Sequence, residues 1–194
     1  MINIVLLGPP GAGKGTQSEK IIQKYNLIPI MPGNLMREHI RQGSALGKIL
    51  ASYIDEGQLA PHEIAMQLVE EQLKANPNAP GFLFDGFPRA IAQANSLDKL
   101  LTTYGYELDG VLFLQVPDEE VKKRIRNRAK ISSRSDDQDE HKIMARLAVY
   151  AKETLPVVAH YEKQNKLFKL DGMGPKETIF KDIVDVLDPL YLHQ

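Results

Sequence analysis

Ile2-Asn-Ile-Val-Leu-Leu7 opens the chain and is followed at once by Gly8-Pro-Pro-Gly-Ala-Gly-Lys-Gly-Thr16. The first six residues are an apolar run rich in β-branched side chains and bounded by glycine and proline, which is typical of a strand buried on both faces. The residues after Thr16 have helical character. The intervening pattern, Gly8-x4-Gly13-Lys14, is that of a glycine-rich loop that wraps phosphate groups between a strand and a helix.

Each residue type in this loop has a physical reason to be there. Gly8, Gly11 and Gly13 permit backbone conformations in which several N–H groups point into one anion-sized hollow. The helix N-terminus adds the positive end of its dipole, and Lys14 adds a charge for the outer phosphates. A glycine-rich turn that binds nothing is the alternative. Because spacing, lysine, the Thr16 hydroxyl, strand and helix all agree, we predict a nucleoside-phosphate site.

Composition narrows the class of protein. The chain has 194 residues, of which 43% are hydrophobic and 25% charged, and this favours one compact domain with a small insertion at most. The net charge is −1, so no bulk field attracts nucleic acid or anionic membrane, and an anion site must come from local arginine and lysine clusters. There is no cysteine, which excludes disulfides, thiolate zinc sites and cysteine nucleophiles.

The sequence also bears on localisation. Strand residues begin at position 2, which leaves no room for a signal or transit peptide. No apolar run approaches the roughly 20 residues that cross a bilayer. We therefore expect a cytoplasmic protein with neither a membrane nor a nucleic-acid partner.

Strands and helices alternate along the rest of the chain. Four more strands are predicted at 27–30, 82–84, 110–116 and 166–170. Helices are predicted up to residues 25–26 and at 49–56, 62–74, 119–128, 144–161 and 178–187. Asn34 is predicted to cap a further helix, and Gly47 to separate helical pieces. This alternation predicts an α/β three-layer fold with a parallel five-stranded sheet, and residues 31–60 as an excursion from it.

A second stretch whose side chains could bind a ligand is Asp85-Gly-Phe-Pro-Arg89. In open parallel sheets, ligands bind at the carboxyl ends of strands, and Asp85 ends a predicted strand beside the phosphate loop. It is well placed to hold Mg²⁺, usually through water, although a turn or helix cap is the alternative. Gln93 follows Arg89 by four residues, so both can project to one side of the next helix.

Arginines mark the second half of the chain. Arg124 and Arg128 are four residues apart and share one face of a predicted helix, where an ordinary charged surface is the alternative. Between Arg128 and Arg146 the chain becomes hydrophilic, which indicates a surface loop that leads into an N-capped helix.

Together these stretches resemble the adenylate kinases of the nucleoside monophosphate kinase family, over nearly the whole chain. The resemblance is carried by Gly8–Gln17, Asp85–Arg89 with Gln93, Arg124-x3-Arg128, and Arg134-x-Asp-Asp137 followed by Arg146. It implies a P-loop fold, the reversible reaction ATP + AMP ⇌ 2 ADP with Mg²⁺, and a monomer whose partners are ATP, AMP and ADP.

The family's organisation maps onto a single domain, 1–194. Its core would comprise 1–30, 61–126 and 138–194, with a small helical AMP-binding insertion at 31–60 and a lid at 127–137. This lid is too short for the family's cysteine zinc site, so no zinc is expected.

The resemblance also implies roles for individual residues. ATP would be bound by Gly11, Ala12, Gly13, Lys14, Gly15, Thr16, Arg124, Arg128 and Gly174. AMP would be bound by Pro32, Arg37, Gln58, Leu59, Ala60, Gly86, Phe87, Pro88, Arg89, Gln93, Arg134 and Arg146. The catalytic set would be Lys14, Arg89, Arg128, Arg134 and Arg146, and Mg²⁺ would be held by Asp85 through water, with Thr16 as a further metal-binding candidate.

The chain departs from the family's pattern at Met31-Pro32-Gly33-Asn34, where Ser-Thr-Gly-Asp is usual. Loss of the threonine hydroxyl removes one neutral hydrogen bond to AMP, which weakens binding by a few-fold to about tenfold. Two alternatives remain beside an active adenylate kinase, namely a kinase for UMP or CMP and a nucleotide-binding protein whose catalysis has decayed. Gln93 argues for AMP, since relatives that use pyrimidines tend to carry asparagine there, and retention of Lys14, Asp85 and six of the eight arginines at family positions argues against decay.

Overall fold

A parallel five-stranded sheet forms the centre of the protein, whose computed structural model describes residues 1–131 and 137–192. The strands are β1 (Ile2–Leu7), β2 (Ile28–Ile30), β3 (Gly81–Asp85), β4 (Gly110–Gln115) and β5 (Leu167–Asp171). They lie in the order β2-β3-β1-β4-β5, and every neighbouring pair is parallel. The predicted α/β fold with a parallel five-stranded sheet is confirmed.

Helices connect the strands and cover both faces of the sheet. They are α1 (Lys14–Tyr25), α2 (Pro32–Arg41), α3 (Ala45–Asp55), α4 (His62–Ala75), α5 (Ile91–Thr103), α6 (Asp118–Ala129), α7 (Glu140–Val149), α8 (Leu155–Lys163) and α9 (Lys176–Leu192). A π-helical turn, Tyr150–Thr154, joins α7 to α8. Within the two described ranges, none of the helices is both long and apolar enough to cross a membrane.

The core lies on both sides of the sheet, and β1 is therefore buried along its whole length. Val5 and Leu7 belong to the apolar cluster that includes residues of α4, α5 and α8. Ile4 and Leu6 belong to the cluster that includes residues of α1 and α9. Alternate side chains of a strand point to opposite faces of the sheet. A continuous apolar run therefore contributes side chains to the core on both faces.

The start of α2 differs from the sequence prediction. Asn34 was expected as the N-cap, but the helix begins at Pro32 and Met31 occupies the cap position without a side-chain hydrogen bond. Proline suits the first helical position because its φ is already helical and its missing N–H would have had no partner in the helix. The Asn34 N–H instead bonds the Met31 carbonyl at 3.0 Å.

Gly47 does not interrupt the chain between helical pieces, contrary to the prediction. It lies inside α3, which starts at Ala45 and whose N-cap, Ser44, accepts a hydrogen bond from the Gly47 N–H at 3.0 Å. A β-carbon at Gly47 would lie 2.0 Å from the His39 carbonyl oxygen. The glycine therefore serves close contact between α2 and α3, and its weak helix propensity is overridden by packing.

The single helix predicted at 144–161 is longer and not uniform. α7 begins earlier, at Glu140, because the Asp139 carboxylate caps it by accepting a hydrogen bond from the His141 N–H at 2.7 Å. The π-helical turn then separates α7 from α8. A turn of this kind changes the helical period locally, so a search for 3.6-residue spacing does not reveal it.

Candidate active site

A cavity of about 570 Å³ opens at the carboxyl ends of the strands. The register of the sheet explains its position, since Leu6 on β1 lies beside Asp85 on β3 and the glycine-rich loop leaves β1 one residue later. A cavity of this size, at this edge of an open parallel sheet, is where α/β proteins bind ligands.

Most of the predicted site residues line this cavity. They are Gly11, Ala12, Gly13, Lys14, Gly15, Thr16, Pro32, Arg37, Gln58, Leu59, Ala60, Asp85, Gly86, Phe87, Arg89, Gln93, Arg124, Arg128 and Arg146. Pro88 is buried beside the cavity and Gly174 lies on the loop after β5, and neither is among the lining residues. Arg134 lies outside the residues that the structure describes.

The glycine-rich loop holds Lys14 against its own backbone. Gly13 precedes α1 with a φ of 93°, a left-handed conformation that glycine adopts readily. The Lys14 ammonium donates to the carbonyl oxygens of Gly8 at 2.9 Å and Pro9 at 3.1 Å. Burial lowers the pKa of Lys14 to about 7; Asp85 opposes this shift, and three arginines at positions 89, 146 and 128 add to it. The lysine therefore gains a strongly favourable partner when an anion enters the loop.

Asp85 is positioned by a residue that the sequence analysis missed. The Ser18 hydroxyl donates to Asp85 Oδ2 at 2.6 Å, and Ser18 is fully buried on α1. Ser18 lies four residues after Lys14, so it faces the same side of the helix, and this spacing was a signal that could have found it. A carboxylate held in this way at the strand end, with the Thr16 hydroxyl in the same cavity, is a suitable oxygen donor set for Mg²⁺ beside phosphates.

On one side of the cavity, Arg124 joins the glycine-rich loop to the loop after β5. Its guanidinium donates to the Ala12 carbonyl at 3.3 Å and to the Gly172 carbonyl at 3.0 Å, and Glu120 accepts from its Nε at 2.9 Å. The planar group is fixed on three sides, so it presents a rigid surface to a flat ligand such as a nucleobase.

On the opposite side, Arg37 and Arg89 converge at the start of α2. A β-carbon at Gly33 would lie 3.3 Å from Arg37 Nη1 and 3.6 Å from Arg89 Nη2, so both guanidinium groups lie close to this residue. The Met31 sulfur accepts a hydrogen bond from the Asn34 amide at 3.3 Å, and both Met31 and Asn34 line the cavity. Two planar cations at a helix N-terminus make a site for a phosphate group.

Gln93 contacts the main chain of Arg89, which precedes α5 rather than belonging to it. Gln93 is buried, and its Oε1 accepts a hydrogen bond from the Arg89 N–H at 2.8 Å. The Arg89 carbonyl in turn accepts from the Thr154 hydroxyl at 2.8 Å. Thr154 was not predicted as a site residue, since its position in the π-helical turn is not visible in the sequence.

Asp137 is a carboxylate to which the sequence analysis assigned no role. It is fully buried and binds Arg128 through two hydrogen bonds, at 2.6 and 2.8 Å, and Arg146 through one of 2.7 Å. Burial alone would raise the pKa of Asp137, but the hydrogen bonds and charges of the two arginines outweigh it and hold that pKa below its ordinary value. Asp137 thereby orders two cavity-lining cations, and the arginines spaced nine residues to either side were the available signal.

Comparison with known proteins agrees with this geometry. A model of the adenylate kinase family matches residues 6–166. A curated adenylate kinase of Flavobacterium johnsoniae is 42% identical over 190 residues, which cover 98% of this chain and 100% of the relative. That of Phocaeicola vulgatus is also 42% identical, with the same 98% and 100% coverage. That of Thermobifida fusca is 44% identical over 178 residues, or 92% of this chain and 94% of the relative.

These matches cover the glycine-rich loop, the Asp85–Arg89 stretch and the arginines around Asp137, so the residues that line the cavity lie inside the matched region. The relatives also align with nearly the entire chain. The chain therefore belongs to the adenylate kinase family and is a nucleoside monophosphate kinase, a phosphotransferase.

Proposed function

We propose that this enzyme transfers the terminal phosphoryl group of ATP to AMP, reversibly, to give two molecules of ADP. ATP would lie on the glycine-rich loop with its adenine against Arg124 and the loop that contains Gly174. AMP would lie across the cavity, with its phosphate on Arg37 and Arg89 and its base near Gln93 and residues 58–60. Pro32, Gly86 and Phe87 would complete the wall of the AMP side, with Pro88 buried beside it.

The observation that carries this proposal is the convergence of cations between the two sides. Lys14, Arg89, Arg128 and Arg146 lie close enough for the three arginines to lower the pKa of the lysine. Phosphoryl transfer needs little covalent help from a protein, since positioning and neutralisation of the charge on the phosphoryl oxygens supply most of the acceleration. A cluster of four cations between the two halves of the cavity provides both the positioning and the neutralisation of charge.

The transfer needs no protein side chain as a general acid or base. An oxygen of the AMP phosphate forms a bond to the γ-phosphorus while the bond from that phosphorus to the β,γ-bridging oxygen breaks, and the negative charge passes to the leaving ADP. The charge on the oxygens of the transferring phosphoryl group would be stabilised by Lys14, Arg128 and Arg146, with Arg134 from the lid. The attacking oxygen is already anionic near neutral pH, so no proton has to be removed from it.

Magnesium fits the residues present. Asp85 would hold the ion through water, with the Thr16 hydroxyl as a further ligand, because Mg²⁺ keeps most of its waters and accepts few protein oxygens. When bound, the ion neutralises the β- and γ-phosphate oxygens of ATP. The Ser18 hydroxyl bonds Asp85 Oδ2 and would keep this carboxylate oriented toward the ion.

We also propose an organisation around this site. Residues 31–60 would act as the AMP-binding insertion and residues 127–137 as the lid, which excludes water when closed so that the phosphoryl group is not lost to hydrolysis. The enzyme would work as a monomer, since one chain supplies both halves of the cavity, and we propose the cytoplasm as its location. Light scattering of the purified protein with and without nucleotides tests the monomer.

An acceptor assay tests the reaction. Purified enzyme with MgATP is offered AMP, UMP, CMP or GMP, and ADP formation is followed by a coupled assay. We expect AMP to give the highest kcat/KM by orders of magnitude. A higher kcat/KM with UMP or CMP would show that this nucleotide, and not AMP, is the acceptor. Absence of turnover with all four nucleotides despite ATP binding would refute the enzyme proposal.

Arginine variants test the assigned roles. Arg89→Ala and Arg128→Ala are each expected to lower kcat/KM by orders of magnitude, as loss of a charge-stabilising arginine does in phosphoryl transfer. Arg41→Ala is the matched control, because Arg41 is exposed on α2 and pairs only locally with Glu38, at 2.6 Å. Activity of Arg41→Ala should stay within about twofold of wild type.

A further inference from the structure

The helix from Glu140 to Lys163 changes its winding at one place, the π-helical turn Tyr150–Thr154. Single π-turns inside α-helices occur frequently at functional sites. Here the turn lies beside the cavity, which is lined from this helix by Arg146, Val149, Tyr150 and Thr154. The position of the turn therefore decides which side chains of the helix reach the cavity.

The rotation can be worked out from helix geometry. Each residue of an α-helix advances by about 100°, so side chains eight residues apart, such as Arg146 and Thr154, would point about 80° apart. A π-turn accommodates one extra residue and takes up about 100° of that rotation. The two side chains then differ by only about 20° and share the face that looks into the site. Without the turn, Thr154 would be rotated by about 80° from Arg146.

Thr154 uses its hydroxyl in an unusual way for a helical threonine. Threonine inside a helix commonly bonds the carbonyl four residues earlier, and Thr102 and Thr103 on α5 do so, each at 2.9 Å. Thr154 is buried, with 6% of its surface exposed, and it donates instead to the carbonyl of Arg89 at 2.8 Å. This bond connects two segments that are 65 residues apart.

The bond completes a clamp on the backbone of Arg89. The Arg89 N–H donates to Gln93 Oε1 at 2.8 Å, and the Arg89 carbonyl accepts from Thr154. Both backbone polar groups of Arg89 are therefore held by hydrogen bonds. We propose that Thr154 is a positioning residue for the acceptor phosphate, brought to Arg89 by the π-helical turn. The proposal rests on the proposed function, in which the Arg89 side chain binds that phosphate.

Two variants at this position separate the hydroxyl from the packing. Thr154→Val keeps the size and branching but removes the donor, whereas Thr154→Ser keeps the donor. Thr102→Val is the matched control, since it removes an exposed hydroxyl that bonds only within its own helix. The readouts are kcat and KM for AMP and for ATP, the dissociation constants of AMP and ATP measured separately by calorimetry, and the thermal midpoint.

We expect Thr154→Val to lower kcat/KM for AMP by about three- to tenfold and to weaken AMP binding. The ATP dissociation constant should stay within about twofold, because Arg89 does not contact the ATP side in the proposed function. Thr154→Ser and Thr102→Val should both stay close to wild type. A purely structural role would lower the thermal midpoint and affect both nucleotides alike.

The proposal is overturned if Thr154→Val keeps the wild-type affinity for AMP, or if Thr154→Ser loses as much as Thr154→Val. It is likewise overturned if AMP and ATP binding weaken equally. Failure of the proposed function appears elsewhere, as absence of turnover by the wild-type enzyme with AMP, and the calorimetric comparison of the variants does not depend on turnover.

Discussion

Asp137 and Arg128 form a two-point ion pair in which the carboxylate is fully buried and both of its oxygens accept from the same guanidinium. Arg146 adds a third hydrogen bond to this carboxylate. A buried carboxylate is tolerated only when its hydrogen bonds are complete, and here two cations complete them. Asp137 thus fixes two arginines of the proposed phosphoryl-transfer site before any substrate arrives.

Asp137→Asn should destabilise the enzyme and slow catalysis. We expect the free energy of unfolding at pH 7 to fall by about 1.5 to 3 kcal/mol, because two guanidinium groups lose their common counter-charge. Glu140→Gln is the control: Glu140 pairs with Arg126 at the surface, where solvent screens the charges, so its loss should cost much less than the loss of Asp137. Urea unfolding of both variants gives these values, and equal losses would contradict the special role of Asp137.

The same carboxylate predicts a dependence on pH. Since its pKa is lowered in the folded protein, ionised Asp137 contributes stability above its ordinary value near 3.8, and this contribution is lost as the pH falls through the lower folded value. Wild type and Asp137→Asn should therefore differ in unfolding free energy at pH 7 and converge in strong acid. A gap that stays constant down to the acid-unfolding range would contradict the assignment.

Lys14 predicts proton uptake on ATP binding. Its pKa of about 7 in the ligand-free protein means that much of it is neutral at pH 8, and phosphate oxygens favour the charged form. Calorimetry of MgATP binding at pH 8, in buffers of different ionisation enthalpy, should show uptake approaching about one proton. At pH 6 the lysine is already protonated and uptake should be small. Equal uptake at both values would show that Lys14 is not the group.

Pro32→Thr tests the departure at the start of α2. Restoring a hydroxyl to this buried, cavity-lining position should lower KM for AMP by a few-fold to about tenfold, with little change in KM for ATP. Pro32→Ala is the control, because it removes the ring without adding the hydroxyl. If both variants leave KM for AMP unchanged, the residue at this position does not limit AMP binding.

Gly57→Ala should disturb Arg146 from a distance in sequence. Gly57 has a φ of 72°, and a β-carbon there would lie 2.8 Å from Arg146 Cγ and 3.0 Å from the Lys142 carbonyl oxygen. Gly105→Ala is a matched control, since its φ is 73° and nothing lies within 4 Å of the added carbon. Both variants should lose about 1 to 2 kcal/mol of stability from the left-handed conformation. Only Gly57→Ala should also lower kcat, and loss of kcat in both would point to a general effect.

Sequence periodicity was enough for the sheet but not for the long helix. The five strands are short apolar runs ended by glycine, proline or polar residues, so each was predicted to within a residue or two. Gly47 and Asn34 were misjudged for different reasons. A close helix contact overrode the propensity of the glycine, and a proline one residue before Gly33 took over the start of the helix.

Within the candidate site, local motifs located residues that tertiary contacts then connected. Lys14, Asp85 and Arg89 each lie at a strand end or in a glycine-rich turn, which sequence alone identifies. The partners Ser18, Asp137 and Thr154 come from other segments, and no contact of theirs is stated by the sequence pattern around them. Their roles depend on distances between elements, such as the 2.8 Å bond from Thr154 to Arg89, and such distances are fixed only by the fold.

The contact at Gly47 has a mechanical consequence. Because even a methyl group would collide with the His39 carbonyl, α2 and α3 approach one another more closely than any other residue at position 47 would allow. A larger residue at position 47 would therefore force α2 and α3 apart, and α2 carries Arg37, which lines the cavity.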